Sequence, residues 1–320
     1  MPMKKFDIIT FGSASEDIFI TSKDFFKKRL CFPVGEKIEI DQILIRTGGG
    51  GTNTAATFSL QGFNTAYCGC IGKDYAGFLI LMDLKRFGIN TNFVETLKNK
   101  TTNHSVILSE KEKGRVILVY REASKFLSKS FNLEKLKASW YYLAPLSGQF
   151  AKNTLKIIKF AKKNRIKVVI NPSKEQINLL KGKKLDWLKL IDVLIVNETE
   201  VKLLFGGYKN ERNLFKKLKE KIGGYLIITK GKKGSIVFDG KNIFKAGIIK
   251  VKVQDRTGAG DAYGSGFVAG IIKRNDPIFA IQLATANSAA CLEQWGAKEG
   301  LLKGNQKFPK IKVKTINCKL

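Results

Sequence analysis

DRTGAGDAYGSGFVAGII, residues Asp255 to Ile272, is the stretch from which the rest of the chain can be read. Gly258, Ala259 and Gly260 are small enough for backbone to crowd against a ligand. Behind them Ala262, Phe267, Val268, Ile271 and Ile272 predict the buried face of a helix. A glycine-rich turn that opens a helix leaves N–H groups without intrahelical partners at the positive end of the helix dipole, which suits a phosphate or an oxyanion. Asp261, in the first turn, sets a carboxylate beside those donors, where it can take a proton from a hydroxyl attacking phosphorus. Taken alone, the same residues also describe a tight turn followed by a charge that favours the dipole.

A second glycine-rich stretch, GGGGTNTAATFSLQGFNTAYCGCIGKDYAG from Gly48 to Gly77, decides between those readings. It resembles one signature of the ribokinase-like (PfkB) sugar kinase family, and Asp255 to Ala262 resembles the other, in the right order and at the right separation. The resemblance extends over nearly the whole chain. It implies a single kinase domain over residues 1–320 with the α/β ribokinase-like fold, a central mostly parallel sheet flanked by helices in a Rossmann-like sandwich, with a small β lid. It implies ATP-dependent transfer of the γ-phosphate to a hydroxymethyl group of a monosaccharide or sugar derivative, as in fructokinases, ribokinases and ketodeoxygluconate kinases. Nucleoside kinases of the adenosine type share both signatures and form the alternative; Phe25, Phe26, Phe32 and Tyr120 are the aromatic residues that could stack a base.

The composition fits an enzyme of this kind. A chain of 320 residues with 44% apolar residues can bury one large core, alone or with a small appendage. The N-terminal MPMKKFDIITFG has a short apolar run that ends in Gly, which reads as a first strand and not as a signal peptide, and no segment reads as membrane-spanning. Five Cys (Cys31, Cys68, Cys70, Cys291 and Cys318) and a single His argue against a disulfide framework or a zinc site and for a reduced, cytoplasmic setting. The net charge is +30, but 48 of the 57 basic residues are Lys scattered over nearly every segment, as in KKNRIK (162–167) and KGKK (181–184). Nucleic-acid readers concentrate Arg and aromatics on one element, so this charge reads as a solvated surface that attracts anionic substrates, and a nucleic-acid function is not expected. A non-catalytic basic binding protein is the competing class; it would bind nucleic acid in a salt-sensitive way and release no ADP.

Strand-like runs at Phe6–Phe11, Thr65–Ile71, Trp140–Leu143, Val168–Ile170, Val193–Val196 and Tyr225–Thr229 alternate with helical ones such as Thr54–Leu60, Phe78–Phe87, Asn153–Lys163 and Asn213–Lys221. That alternation predicts a parallel sheet covered on both faces, with ligands at the carboxyl ends of its strands. Two segments break it. Residues 18–46 and 93–120 carry alternating runs (KIEIDQILI, HSVILSE, GRVILVY) without helices between them and are expected to pair as antiparallel strands. In the family such strands make a lid over the sugar site, often shared between two subunits, so a homodimer through the lid is expected.

The resemblance also assigns residues. Asp17 stands where the family holds sugar hydroxyls, and Gly48, Gly49 and Asn53 belong to the substrate-side glycine motif. Gly50 stands where many ribokinases carry Lys, which weakens the case for ribose itself. Arg121 in LVYREAS is similar to the Arg that reaches the far end of the substrate in fructokinases and ketodeoxygluconate kinases, although Glu122 follows it where glycine is common; a solvated lid Arg is the alternative. Asn197 and Glu200 in VNETE match the element whose Asn touches phosphates and whose Glu organises the waters of Mg2+, while an N-cap with its capping-box partner reads the same letters. Thr229, Gly231 and Gly234 match the loop beside ATP, and Asn287 the adenine side. Asp255 and Thr257 are the candidates for a monovalent cation such as K+. Asp261 would be the base, with the N–H groups from Gly258 through Ala259 and Gly260 to Asp261 forming the anion hole around the transferred phosphoryl.

Overall fold

A computed structural model describes residues 5–23, 25, 32, 34–35, 37–110, 114–127, 131–181, 185–207 and 210–317. In chain order the first half contains β1 (Phe6–Phe11), β2 (Ser15–Thr21), β3 (Gln42–Gly48), α1 (Gly50–Leu60), β4 (Thr65–Gly72), α2 (Tyr75–Arg86), β5 (Asn90–Leu97), β6 (Asn103–Glu110) and β7 (Gly114–Tyr120). There follow β8 (Ala138–Leu143), α3 (Gly148–Lys152), α4 (Thr154–Lys163), β9 (Lys167–Ile170), α5 (Lys174–Leu180), β10 (Val193–Asn197), α6 (Glu198–Phe205), α7 (Glu211–Leu218) and β11 (Tyr225–Thr229). The last part holds β12 (Ser235–Phe238), β13 (Asn242–Ala246), α8 (Ala259–Arg274), α9 (Pro277–Leu292) and β14 (Val313–Asn317).

Ten strands form one sheet in the order β14-β13-β12-β11-β10-β9-β8-β1-β4-β5. From β5 to β11 every neighbouring pair is parallel; β12, β13 and β14 close one edge antiparallel. The strands are apolar on both faces because both faces are covered. Ile9, Phe11, Tyr141, Leu143, Val168 and Leu194 point to the layer of α3 to α7. Their sequence neighbours Ile8, Trp140, Tyr142, Val169, Val193 and Ile195 point to the layer containing α8 and α9. Those two helices pack closely through small residues: a Cβ on Gly270 would lie 2.5 Å from the Cα of Ala280. No helix among the described residues is long and apolar enough to cross a membrane.

The other four strands form a separate small sheet, β3-β2-β6-β7. Here the structure corrects two expectations. Asn90–Leu97 pairs parallel with β4 in the large sheet, so the second lid stretch begins at Asn103 and not at Phe93. The central lid pair, β2 with β6, is parallel, whereas β2–β3 and β6–β7 are antiparallel. The reason is the parentage of the strands. β2 continues from the carboxyl end of β1 and β6 from that of β5, and both parents run the same way in the large sheet, so their extensions leave it side by side in one direction. Residues 37–40 of the run KIEIDQILI are outside any strand, and β3 begins at Gln42.

Candidate active site

The two glycine-rich stretches, far apart in the chain, meet at the helix mouths. Asn53 on α1 donates from Nδ2 to Oδ2 of Asp261 on α8 at 2.9 Å, across 208 positions of sequence. The Oδ1 of Asn53 is buried with no hydrogen-bond partner among the described residues, an acceptor left for a hydroxyl donor. Gly258 caps α8 in the left-handed region (φ 75°), and a Cβ there would lie 2.2 Å from that of Ala297. The turn therefore takes glycine for two reasons, its backbone dihedral and the chain packed on it. Among the described residues the N–H groups of Ala259, Gly260 and Asp261 have no acceptor. A Cβ on Gly260 would meet nothing within 4 Å, so the turn is open at that residue.

Asp261 is half-buried as a residue, yet its surroundings desolvate the carboxyl. Burial raises its pKa, the Asn53 hydrogen bond opposes that, and the nearby Asp17 adds to it. Asp17 lies in the same group of charges. It is buried, its Oδ1 accepts from Ser15 Oγ at 2.8 Å, and burial raises its pKa too, against hydrogen bonds from Ser15 and Ser105 and the charge of Lys298. Gly48 leaves room for it: a Cβ on Gly48 would lie 1.9 Å from Asp17 Oδ2. Gly49, at φ 96°, crosses the backbone of Ser13 and Ala14 and turns the chain into α1. A Cβ on Gly50 would be 3.6 Å from Asp261 Oδ1, so Gly50 lies beside the carboxylate. Two desolvated carboxylates, an open amide acceptor and a set of free N–H donors can together orient a polyol hydroxyl, accept its proton and hold an anion.

Along the sheet, Asn197 and Glu200 follow β10. They form a capping box: Glu200 N–H donates to Asn197 Oδ1 at 3.0 Å and Asn197 N–H to Glu200 Oε2 at 2.8 Å. The other Glu200 oxygen is uncommitted, and no cluster of three or more His, Cys, Asp or Glu able to hold a metal ion occurs among the described residues. This donor set fits a divalent cation only through its waters. Thr229 ends β11 beside them, and the turn from Gly231 to Gly234 has positive φ at both glycines, 54° and 83°.

Several expectations are corrected. Asn287 is fully buried; its Nδ2 donates to Ala262 O at 2.9 Å and Thr57 Oγ1 at 3.3 Å, and its Oδ1 accepts from Leu302 N–H at 2.9 Å. It ties α9 to α8 and α1, and being fully buried it presents no surface to an adenine. Asp255 and Thr257 do not fit a monovalent cation, because the Arg115 guanidinium stands on both: Nη1 is 3.0 Å from Asp255 Oδ1 and 2.8 Å from Thr257 Oγ1. Arg121 is exposed and makes no hydrogen bond or ion pair among the described residues. Of the aromatic residues, Tyr120 lies on the lid face opposite Asp17 by strand register, Phe25 is buried edge-on against Phe32, and Phe26 lies outside the described residues, as do Cys31 and Cys318.

Three cations that sequence reasoning passed over surround the site. Arg46 is the cross-strand neighbour of Asp17, and its Nε is buried without a partner among the described residues. Lys298 is 3% exposed and bonds Asp83 and Thr47. Arg115 is the third. Nothing local distinguishes them among so many basic residues.

Residues 5–303 match the model of the pfkB family of carbohydrate kinases. The chain is 30% identical over 287 residues to a ribokinase of Lactococcus lactis, covering 88% of this chain and 91% of the relative. It is 26% identical to an ATP-dependent 6-phosphofructokinase of Thermoanaerobacterium thermosaccharolyticum, over 92% and 90% of the two chains. Among solved structures, a ribokinase from Cryptococcus neoformans in complex with ADP superposes with a TM-score of 0.75 at 25% identity, covering 94% of this chain and 98% of that one. The Methanocaldococcus jannaschii nucleoside kinase gives a TM-score of 0.76 at 23% identity, over 93% and 95%, which shows a shared fold.

Proposed function

We propose that this chain, which belongs to the pfkB family of carbohydrate kinases, transfers the γ-phosphate of ATP to a primary hydroxyl of a monosaccharide or sugar derivative. The observation that carries this reading is the Asn53–Asp261 contact at the mouth of α8, where a desolvated carboxylate adjoins unpaired N–H donors. The acceptor hydroxyl lies against Asp261, which takes its proton as the oxygen–phosphorus bond forms and the bond to the ADP oxygen breaks. The N–H groups of Ala259, Gly260 and Asp261 bear the charge of the transferred group; one such donor is worth about 3 kcal/mol. Asp17 and the free Oδ1 of Asn53 accept from the other hydroxyls and set the sugar's orientation. Thr229, Gly231 and Gly234 flank the nucleotide, and Asn197 adjoins its phosphates. Bound Mg2+ supplies charge neutralisation on the phosphates, and Glu200 orients its waters. Three buried free thiols among the described residues and ATP as donor are in keeping with a cytoplasmic enzyme.

The test is ADP release with fructose, ribose, ketodeoxygluconate, fructose 6-phosphate, adenosine and cytidine. A sugar or sugar acid is expected to be the best acceptor; turnover with a nucleoside alone would move the assignment to the nucleoside kinases, and ADP release with none would end the kinase reading.

The lid supports a homodimer. Opposite the face that carries Asp17, strand register groups Ile18, Ile20, Ile43, Ile45, Leu118 and Tyr120, with Ile43, Ile45, Leu118 and Tyr120 exposed. An apolar sheet face with an open edge strand needs cover. Light scattering is expected to give twice the chain mass for the native protein and a single chain mass for Ile45→Glu; a native monomer would refute the dimer.

A further inference from the structure

The charge on Asp255 is already answered from within the chain. Asp255 is buried, and its Oδ1 accepts from Arg256 N–H at 2.6 Å, Thr257 N–H at 3.1 Å, Thr257 Oγ1 at 3.0 Å and Arg115 Nη1 at 3.0 Å. Its Oδ2 faces the N–H of Gly296 at 3.4 Å. The Thr257 hydroxyl donates a hydrogen bond to Asp255 Oδ1 and accepts one from Arg115 Nη1, and the Thr257 carbonyl faces the Cys291 thiol at 3.5 Å. A soluble cation needs several oxygens with free lone pairs; here donors already occupy Asp255 Oδ1 and the Thr257 hydroxyl, and Oδ2 faces the Gly296 N–H. A guanidinium is also permanently charged and weakly hydrated, which suits a buried carboxylate.

The origin of that guanidinium matters. Arg115 is the second residue of β7, opposite Ser109, and register puts it on the same lid face as Asp17 and Phe19. It reaches across 140 positions of sequence to the segment that runs, within three residues, into the left-handed cap at Gly258. The charge that neutralises the root of the anion-binding turn is therefore carried by the lid. Lifting the lid would leave Asp255 buried without its cation, so the turn is held in order when the lid is down.

We propose that the Arg115 guanidinium serves this enzyme as a built-in cation, delivered by the lid to Asp255 and Thr257, which makes turnover independent of a soluble monovalent cation. Arg115 is thus a positioning residue, acting through the turn that presents the N–H groups of Ala259 to Asp261. The inference rests on the kinase reading, and its test keeps the two apart.

ADP release with the best acceptor should be measured in the chlorides of potassium, sodium and tetramethylammonium at equal ionic strength. The native enzyme is expected to give the same kcat/KM in all three. In tetramethylammonium, Arg115→Ala should lose about 10- to 100-fold in kcat/KM, the scale of a misplaced catalytic geometry. Potassium or millimolar guanidinium chloride should restore part of that loss, and Arg115→Lys should retain most activity without either. Thermal unfolding supplies a readout that needs no turnover: potassium should raise the Tm of Arg115→Ala and leave that of the native protein unchanged. Activation of the native enzyme by potassium, or an Arg115→Ala variant as active as the native one in tetramethylammonium, overturns the proposal. If Arg115→Ala does not fold, the native enzyme and Arg115→Lys across the three salts still decide it. If no acceptor releases ADP, the kinase reading fails, while the unfolding comparison still tests the cation.

Discussion

Asp261→Asn is expected to fold and to lose at least about 100-fold in kcat, the low end for removing a general base. The substitution is nearly isosteric, and Asn53 Nδ2 can still donate to the new amide oxygen, so the meeting of α1 and α8 survives. What disappears is the carboxylate proposed to take the proton at the mouth of the helix. The same desolvation that raises the Asp261 pKa predicts two further results. Because ionising this carboxyl costs more in the folded chain than in the unfolded one, it weakens the fold as pH rises from the ordinary carboxylate range through its raised value. Asn removes that cost, so the variant's Tm at neutral pH should equal or exceed that of the native protein. And since the base must be ionised to work, the acid limb of kcat/KM should lie above the usual carboxylate range and vanish in the variant's residual activity. Near-native kcat in Asp261→Asn would show that another group takes the proton.

Lys298→Met is expected to have the largest effect on stability, about 3 kcal/mol in urea unfolding, the low end for breaking a buried ion pair. Lys298 Nζ donates to Asp83 Oδ2 at 2.7 Å and to Thr47 Oγ1 at 2.6 Å, and Thr47 also donates to Asp83. Burial lowers the Lys298 pKa while Asp83 opposes it, as expected of a cation that only its partner keeps charged. Removing it leaves Asp83, 13% exposed, with Arg86 at 2.8 Å as its remaining cation, which is why the low end applies. The effect should reach the site, because Lys298 follows Ala297, packed on Gly258, and its charge lowers the pKa of Asp17. Asp83→Leu in the Lys298→Met background should recover most of the lost stability, since no buried charge then lacks a partner. A Lys298→Met variant within about 0.5 kcal/mol of the native protein, the scale of an ordinary surface change, would mean that the pair is solvated.

How far the sequence could be read depended on the range of the interaction that decides each feature. The β-rich runs and the turn at Gly258 were legible because their causes are local: short continuous apolar runs for strands packed on both sides, and a small residue where the backbone takes positive φ. Asn197 and Glu200 show the limit of a local cause, since the capping box explains both letters before any ligand is considered. The parallel pairing of β2 with β6 depends on which core strands they grow from, and no residue within either strand records that. Asn287 was misassigned because an amide satisfied by Thr57, Ala262 and Leu302 looks, in one dimension, like an amide awaiting a ligand.

By itself the sequence determined the α/β class, the family and the two glycine turns with Asp261 after the second, because each rests on residue types that a short segment of backbone demands. Only the tertiary structure decided which of 57 basic residues matter. Arg115 on Asp255 and Lys298 on Asp83 are pairs 140 and 215 positions apart. A charge acquires its energetic weight from the burial of its partner, and burial is a property of the folded chain.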